Sequence, residues 1–128
     1  MAKILVIDDS SFQRRSIRKI LEVDGHEIQE AINGHQGLEM TATFVPDCIL
    51  LDILMPDMNG LIVLKTLREQ GNTAPVIILT ADIQDTTCQE CLNLGAKQVI
   101  HKPLLPTEGD KLRTIITNAL ISEEGAIA

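Results

Sequence analysis

Short, almost continuous apolar runs recur along this chain: Ile4-Leu5-Val6-Ile7, Cys48-Ile49-Leu50-Leu51, Val76-Ile77-Ile78-Leu79 and, more weakly, Gln98-Val99-Ile100. A strand that is apolar on both faces must be covered on both, which is the mark of a buried parallel sheet. Glu27-Ile28-Gln29-Glu30-Ala31 alternates instead, so one side of it meets water and its place is at an edge.

Between these runs the apolar period becomes helical. Ile17, Ile20 and Leu21 share a face while Arg14, Arg15, Arg18 and Lys19 are expected to face water; Ser10 or Ser11 caps the start and Gly25 follows the end. Leu61, Leu64 and Leu67 form a second stripe before Gly71, and Leu112, Ile115, Ile116, Ala119 and Leu120 form the last. Less regular helices fill 34–43 and 83–93. Strand then helix, five times, predicts an α/β fold: one doubly wound (βα)5 domain with a parallel sheet, right-handed crossovers and helices on both faces.

The chain of 128 residues has the length of one domain and contains no Gly/Ser/Pro linker, and its periodicity fades at Ser122, which predicts a tail over 122–128. Its 45% hydrophobic and 23% charged content excludes disordered and collagen-like classes. A net charge of −7 predicts repulsion from phosphate backbones and anionic lipid, hence no direct nucleic-acid contact. No apolar run approaches the ~20 residues of a membrane span, and Asp8-Asp9 interrupts the stretch where a signal peptide needs its apolar segment, so a cytoplasmic chain without membrane insertion is expected. Three cysteines fit reduced thiols better than a disulfide framework.

In doubly wound sheets ligands bind beyond the carboxyl ends of the strands. The first strand ends in Asp8-Asp9, the third in Asp52, the fourth in Thr80-Ala81 and the fifth in Lys102-Pro103. Three carboxylates brought to one edge repel unless a cation joins them, and carboxylates with water and a backbone carbonyl suit Mg²⁺. A hydroxyl and an ammonium beside them suit an anion with several oxygens, so the edge reads as a phosphoryl site with Asp52, on the central strand, as the attacking oxygen. Either part alone is ordinary: an Asp pair after a strand is commonly a turn or cap, and a Lys-Pro commonly a loop. Four such signals, each directly after a separate strand, are far less ordinary.

These residues closely resemble the response regulator receiver domains of two-component signalling, of the CheY type. The resemblance runs from Ile4-Leu5-Val6-Ile7-Asp8-Asp9-Ser10 through Leu50-Leu51-Asp52-Ile53-Leu54-Met55-Pro56-Asp57-Met58-Asn59-Gly60 to Leu79-Thr80-Ala81, Gly95-Ala96 and His101-Lys102-Pro103. It implies a receiver domain over 1–121 with strand order 2-1-3-4-5. It further implies that Asp52 takes a phosphoryl group from a sensor histidine kinase or phosphotransfer protein. Mg²⁺ would be held by Asp9 and Asp52 directly, by Asp8 through water and by the Leu54 carbonyl. Lys102 would pair with one phosphoryl oxygen, Thr80 and the Ala81 N–H with another, and the Lys102–Pro103 bond is cis in relatives. The implied role is a signalling switch toward a downstream protein target, compatible with slow autodephosphorylation and with a homodimer, rather than a metabolic enzyme. Pro56 and Gly60 bracket a tight turn, in which Gly60 can take positive φ where other residues would strain.

Three departures from the family pattern matter. Chemotaxis-type relatives carry an aromatic switch residue where this chain has Val99, whose single stiff torsion leaves little volume to swing, so output would rest on the loop after Thr80 or on other surfaces, and not on a Thr–aromatic couple. Leu54 and Asp82 flank the expected water path to the phosphoryl group. Gly109 stands where relatives offer an apolar contact, and glycine inside a helix costs about 0.5–1 kcal/mol relative to Ala, so the last helix is expected to begin late or loosely.

Rival readings are weaker. An aspartate-nucleophile phosphatase would normally carry a second Asp two residues after the first, where this chain has Leu54; a flavodoxin-like carrier would need a Ser/Thr-Gly phosphate loop and a stacking Trp or Tyr; a receiver-shaped module that is never phosphorylated would not need the full acidic set. Cys88-Gln89-Glu90-Cys91 has redox spacing but falls inside a helix and reads as two small apolar residues, and His101 reads as a strand-end surface residue.

Overall fold

The computed structural model describes residues 2–82, 84–102 and 108–127, with 122–127 described by backbone alone. Its elements alternate as β1 (Lys3–Ile7), α1 (Ser11–Glu22), β2 (Glu27–Ala31), α2 (Gly34–Phe44), β3 (Cys48–Leu51), α3 (Gly60–Glu69), β4 (Val76–Thr80), α4 (Asp85–Asn93), β5 (Gln98–His101) and α5 (Gly109–Ile127). The five strands are all parallel in the order β2-β1-β3-β4-β5, as the resemblance implies.

Alternate residues of each strand feed two cores. Leu5, Ile7, Ile49, Leu51 and Ile78 face α2, α3 and α4 through Leu38, Val63, Leu64, Leu67 and Cys91. Ile4, Val6, Leu50, Ile77 and Leu79 face α1 and α5 through Ile17, Leu21, Leu112 and Ile116. The central strands, covered on both sides, are therefore continuous apolar runs, while β2 alternates at the edge as read from sequence.

Local chemistry sets the helix starts. The Ser10, Asn33 and Asn59 side chains accept from the N–H groups of Gln13, Gln36 and Leu61, which caps α1, α2 and α3. Gly25, Gly71 and Gly95 lie at positive φ just past helix ends.

Four expectations need correction. Gly60 is absent from the positive-φ set; a Cβ there would fall into the Asp52 carbonyl and 2.8 Å from Ile53 Cα, so glycine is required by backbone approach and not by φ. Arg14 does not face water: its side chain is 12% exposed and is drawn inward by Glu30 and the Asp8 carbonyl. Gly109 is the first residue of α5 rather than an interior one, so the interior penalty does not apply. Helical backbone also continues past Ser122 to Ile127, because Glu123, Glu124 and Ala126 are good helix formers even without an apolar stripe. Pro103, and with it the Lys102–Pro103 bond, lies outside the described residues, as does Ile83.

Candidate phosphoryl-acceptor site

The strand ladder places the site. Each key residue follows its strand yet stays tied to a neighbouring one through its own backbone: Asp8 N–H donates to Ala31 at 3.1 Å, Asp52 N–H to Ile7 at 3.0 Å and Lys102 N–H to Thr80 at 2.8 Å. Parallel register thereby brings Asp8, Asp52, Thr80 and Lys102 to one sheet edge.

There Lys102 Nζ donates to Asp8 Oδ2 at 2.7 Å and to Asp52 Oδ2 at 3.1 Å. The side chains of Asp8 and Asp52 are only 2% and 5% exposed. Burial pushes the Asp52 carboxyl above the usual carboxylate range and the Asp8 charge adds to it, while Lys102 pulls the other way. Burial likewise opposes the Lys102 charge, yet its bonds and attraction to Asp8 and Asp52 win and hold the ammonium above its ordinary value.

The other oxygens are held from the backbone. Ser10 N–H donates to Asp8 Oδ1 at 2.9 Å and Leu54 N–H to Asp52 Oδ1 at 3.3 Å. Thr80 is fully buried, and its Oγ1 accepts from Asp82 N–H at 3.2 Å, so the hydroxyl and the following loop are joined. Asp9 is exposed, and one oxygen each from Asp8, Asp9 and Asp52 lie within 4.8 Å of one another. Hard oxygen donors of net negative charge, one of them open to water, fit Mg²⁺. Lys102 meets two of those carboxylates directly, a pairing that sequence reasoning did not include.

Val99 is half-buried against the α2–α4 core, Ala81 is exposed, and Leu54 is 52% exposed. Two supporting residues escaped sequence reading. Arg14 Nη1 donates to the Asp8 carbonyl at 2.6 Å while its Nε reaches Glu30 at 3.1 Å. Asp57 accepts the N–H groups of Gly34 and His35 at the start of α2, which pins the loop after Asp52. Desolvation alone would raise the Asp57 carboxyl, but these N–H bonds outweigh it and lower it. The available signal for Arg14 was an arginine one turn into the helix after Asp8-Asp9, opposite an acidic residue on the edge strand.

The response regulator receiver domain family matches residues 4–117. The transcriptional regulatory protein SrrA of Staphylococcus aureus is 40% identical over 106 residues, 83% of this chain but 44% of SrrA, so the chain spans less than half of that relative. The receiver domain of a Francisella response regulator superposes with a TM-score of 0.88 at 29% identity, covering 96% of this chain and 99% of that one. A CheY-like receiver domain protein from Methanospirillum hungatei gives 0.91 at 27% identity, covering 98% of each. With the acidic edge, the buried Thr80 and the Lys102 bridge in their places on a 2-1-3-4-5 sheet, the chain belongs to the response regulator receiver domain family of two-component signalling.

Proposed function

We propose that Asp52 is the phosphoacceptor of a two-component relay, receiving its phosphoryl group from a histidine kinase or phosphotransfer protein and switching a surface read by a downstream partner. The observation that carries this is the environment of Asp52, buried on the central strand with one oxygen on the Lys102 ammonium and the other on the Leu54 N–H, beside Asp8 and Asp9.

In this reading an Asp52 oxygen attacks the phosphorus in line and the P–N bond to the kinase imidazole breaks. Asp8, Asp9, Asp52 and the Leu54 carbonyl would hold Mg²⁺, which when bound offsets charge on the phosphoryl oxygens. Lys102 is already within reach of the attacked carboxylate, so its ammonium follows the new negative charge. The Thr80 hydroxyl and the Ala81 N–H donate to another oxygen. Because Thr80 accepts from Asp82 N–H, a shift of Thr80 moves the loop after β4, and with Val99 on β5 that loop is the output element. Structures with and without a phosphoryl mimic should differ at Ala81 and Asp82; an unaltered backbone there would sink this output route.

The acceptor is tested by intact mass after incubation with acetyl phosphate and Mg²⁺. A Mg²⁺-dependent gain of one phosphoryl group, absent in Asp52→Asn, is expected. No gain in either protein would favour an interaction module that is never phosphorylated, and a gain surviving the substitution would mean another acceptor.

A further inference from the structure

The fold gives the three cysteines different surroundings. Cys48 and Cys91 are fully buried, and burial pushes their thiols up to about 12 and about 11, so both stay protonated at neutral pH. Cys88 is half-buried in the first turn of α4, with Sγ 3.5 Å from Nε2 of His101, which is exposed at the end of β5. The Cys88–Cys91 spacing therefore does not describe a pair of equivalent thiols: one side chain is in the α2–α4 core and the other meets an imidazole from a different element. With the ring proton on Nδ1, Nε2 accepts the thiol proton. A nucleophile with a base at hydrogen-bond distance, on a face open to solvent, is what thiol–disulfide exchange requires. Phosphoryl acceptance at Asp52 uses neither side chain.

We propose that Cys88 is a modification site that exchanges with small disulfides to form a mixed disulfide, with His101 as the base. The Cys88 proton passes to His101 Nε2 and the sulfur attacks one sulfur of the disulfide. A new S–S bond forms as the old one breaks, and the departing thiolate takes the proton from His101. Cys88 is oxidised and the departing half of the disulfide is reduced, so no further oxidant is needed. Asp85 on α4 and Asp82 before it precede the thiol, Glu90 follows it, and the whole chain carries −7, so the reagent class favoured is a cationic or neutral disulfide over an anionic one.

The test treats the reduced full chain with cystamine near neutral pH and follows intact mass with time, locating the adduct by peptide mapping. One cysteamine per chain on Cys88 is expected, none on Cys88→Ser, with reversal by dithiothreitol. His101→Gln should slow the reaction at least about tenfold, a threshold set below the roughly 10²–10⁴-fold that a positioned base contributes, while leaving the circular dichroism spectrum and unfolding midpoint unchanged. The site is overturned if folded wild type takes no adduct, or takes it on Cys48 or Cys91. The base role is overturned if folded His101→Gln reacts at the wild-type rate.

Discussion

Removing the Lys102 ammonium tests whether the site is an electrostatic unit built into the core. Lys102→Met keeps much of the stem and leaves Asp8 and Asp52 facing each other without their shared cation. At an effective dielectric constant of about 20, a unit charge pair near 3 Å is worth roughly 5 kcal/mol, and two carboxylate oxygens near 5 Å repel by roughly 3 kcal/mol. Part of the lost attraction is regained because the ammonium no longer needs desolvating. Protonating one carboxylate also limits the loss, and burial already favours this at Asp52 by pushing its carboxyl up. A net cost of about 3–4 kcal/mol follows, within the range for breaking one side of a buried ion pair and a large part of a typical 5–15 kcal/mol total. Urea unfolding with chelator present measures it, and Asp52→Asn added to Lys102→Met should restore about 2 kcal/mol by removing the repulsion. A Lys102→Met loss below about 1 kcal/mol, or no restoration in the double variant, would refute this account.

Other expectations follow from single contacts. Gly60→Ala should cost about 2–3 kcal/mol and slow phosphorylation, because the colliding atoms are the Asp52–Ile53 backbone; a loss no larger than for an exposed helix substitution would remove the argument. Val45, exposed and left-handed at φ 50 past α2, should gain about 1 kcal/mol of thermal stability as Val45→Asn, and no gain would mean the turn is unstrained. Burial would raise the Glu30 carboxyl, but bonds and charge from Arg18 and Arg14 outweigh it, so its contribution is present above the ordinary carboxylate pKa and lost as pH falls through the lowered folded value. Glu30→Gln should therefore cost about 0.5–1 kcal/mol at pH 7, screening at Arg18 included, and become indistinguishable from wild type in acid; a gap that persists there excludes the ion pairs. Leu54→Asn and Asp82→Ala should each change the dephosphorylation rate, and unchanged rates would take both residues off the water path.

The parts of this molecule that could be read directly from sequence are those fixed by period and by strand end. Two-faced burial makes β1, β3 and β4 continuous apolar runs, and a residue directly after a strand emerges at the sheet edge, which is why Asp8 and Asp52, and Lys102 after the weaker β5 run, are expected there from sequence. What stayed hidden depends on distances between elements remote in the chain. Gly60 looked like a turn glycine because φ and backbone approach leave the same residue in the sequence; only the packing of α3 against the Asp52–Ile53 backbone separates them. Arg14 looked like part of a solvated basic face because helical period assigns a direction to the Cβ, not to a side chain long enough to turn back to Glu30 and the Asp8 carbonyl. That turn ties the edge strand to the Asp8-Asp9 loop, so Arg14 should support Mg²⁺ binding without touching the ion. Outer partners of metal ligands are commonly worth about ten- to a hundredfold in affinity. Arg14→Met should weaken Mg²⁺ binding by about tenfold, read by titration of the folded protein, with Lys19→Met on the exposed face unchanged. Equal affinities in the two variants would return Arg14 to the role of a surface charge.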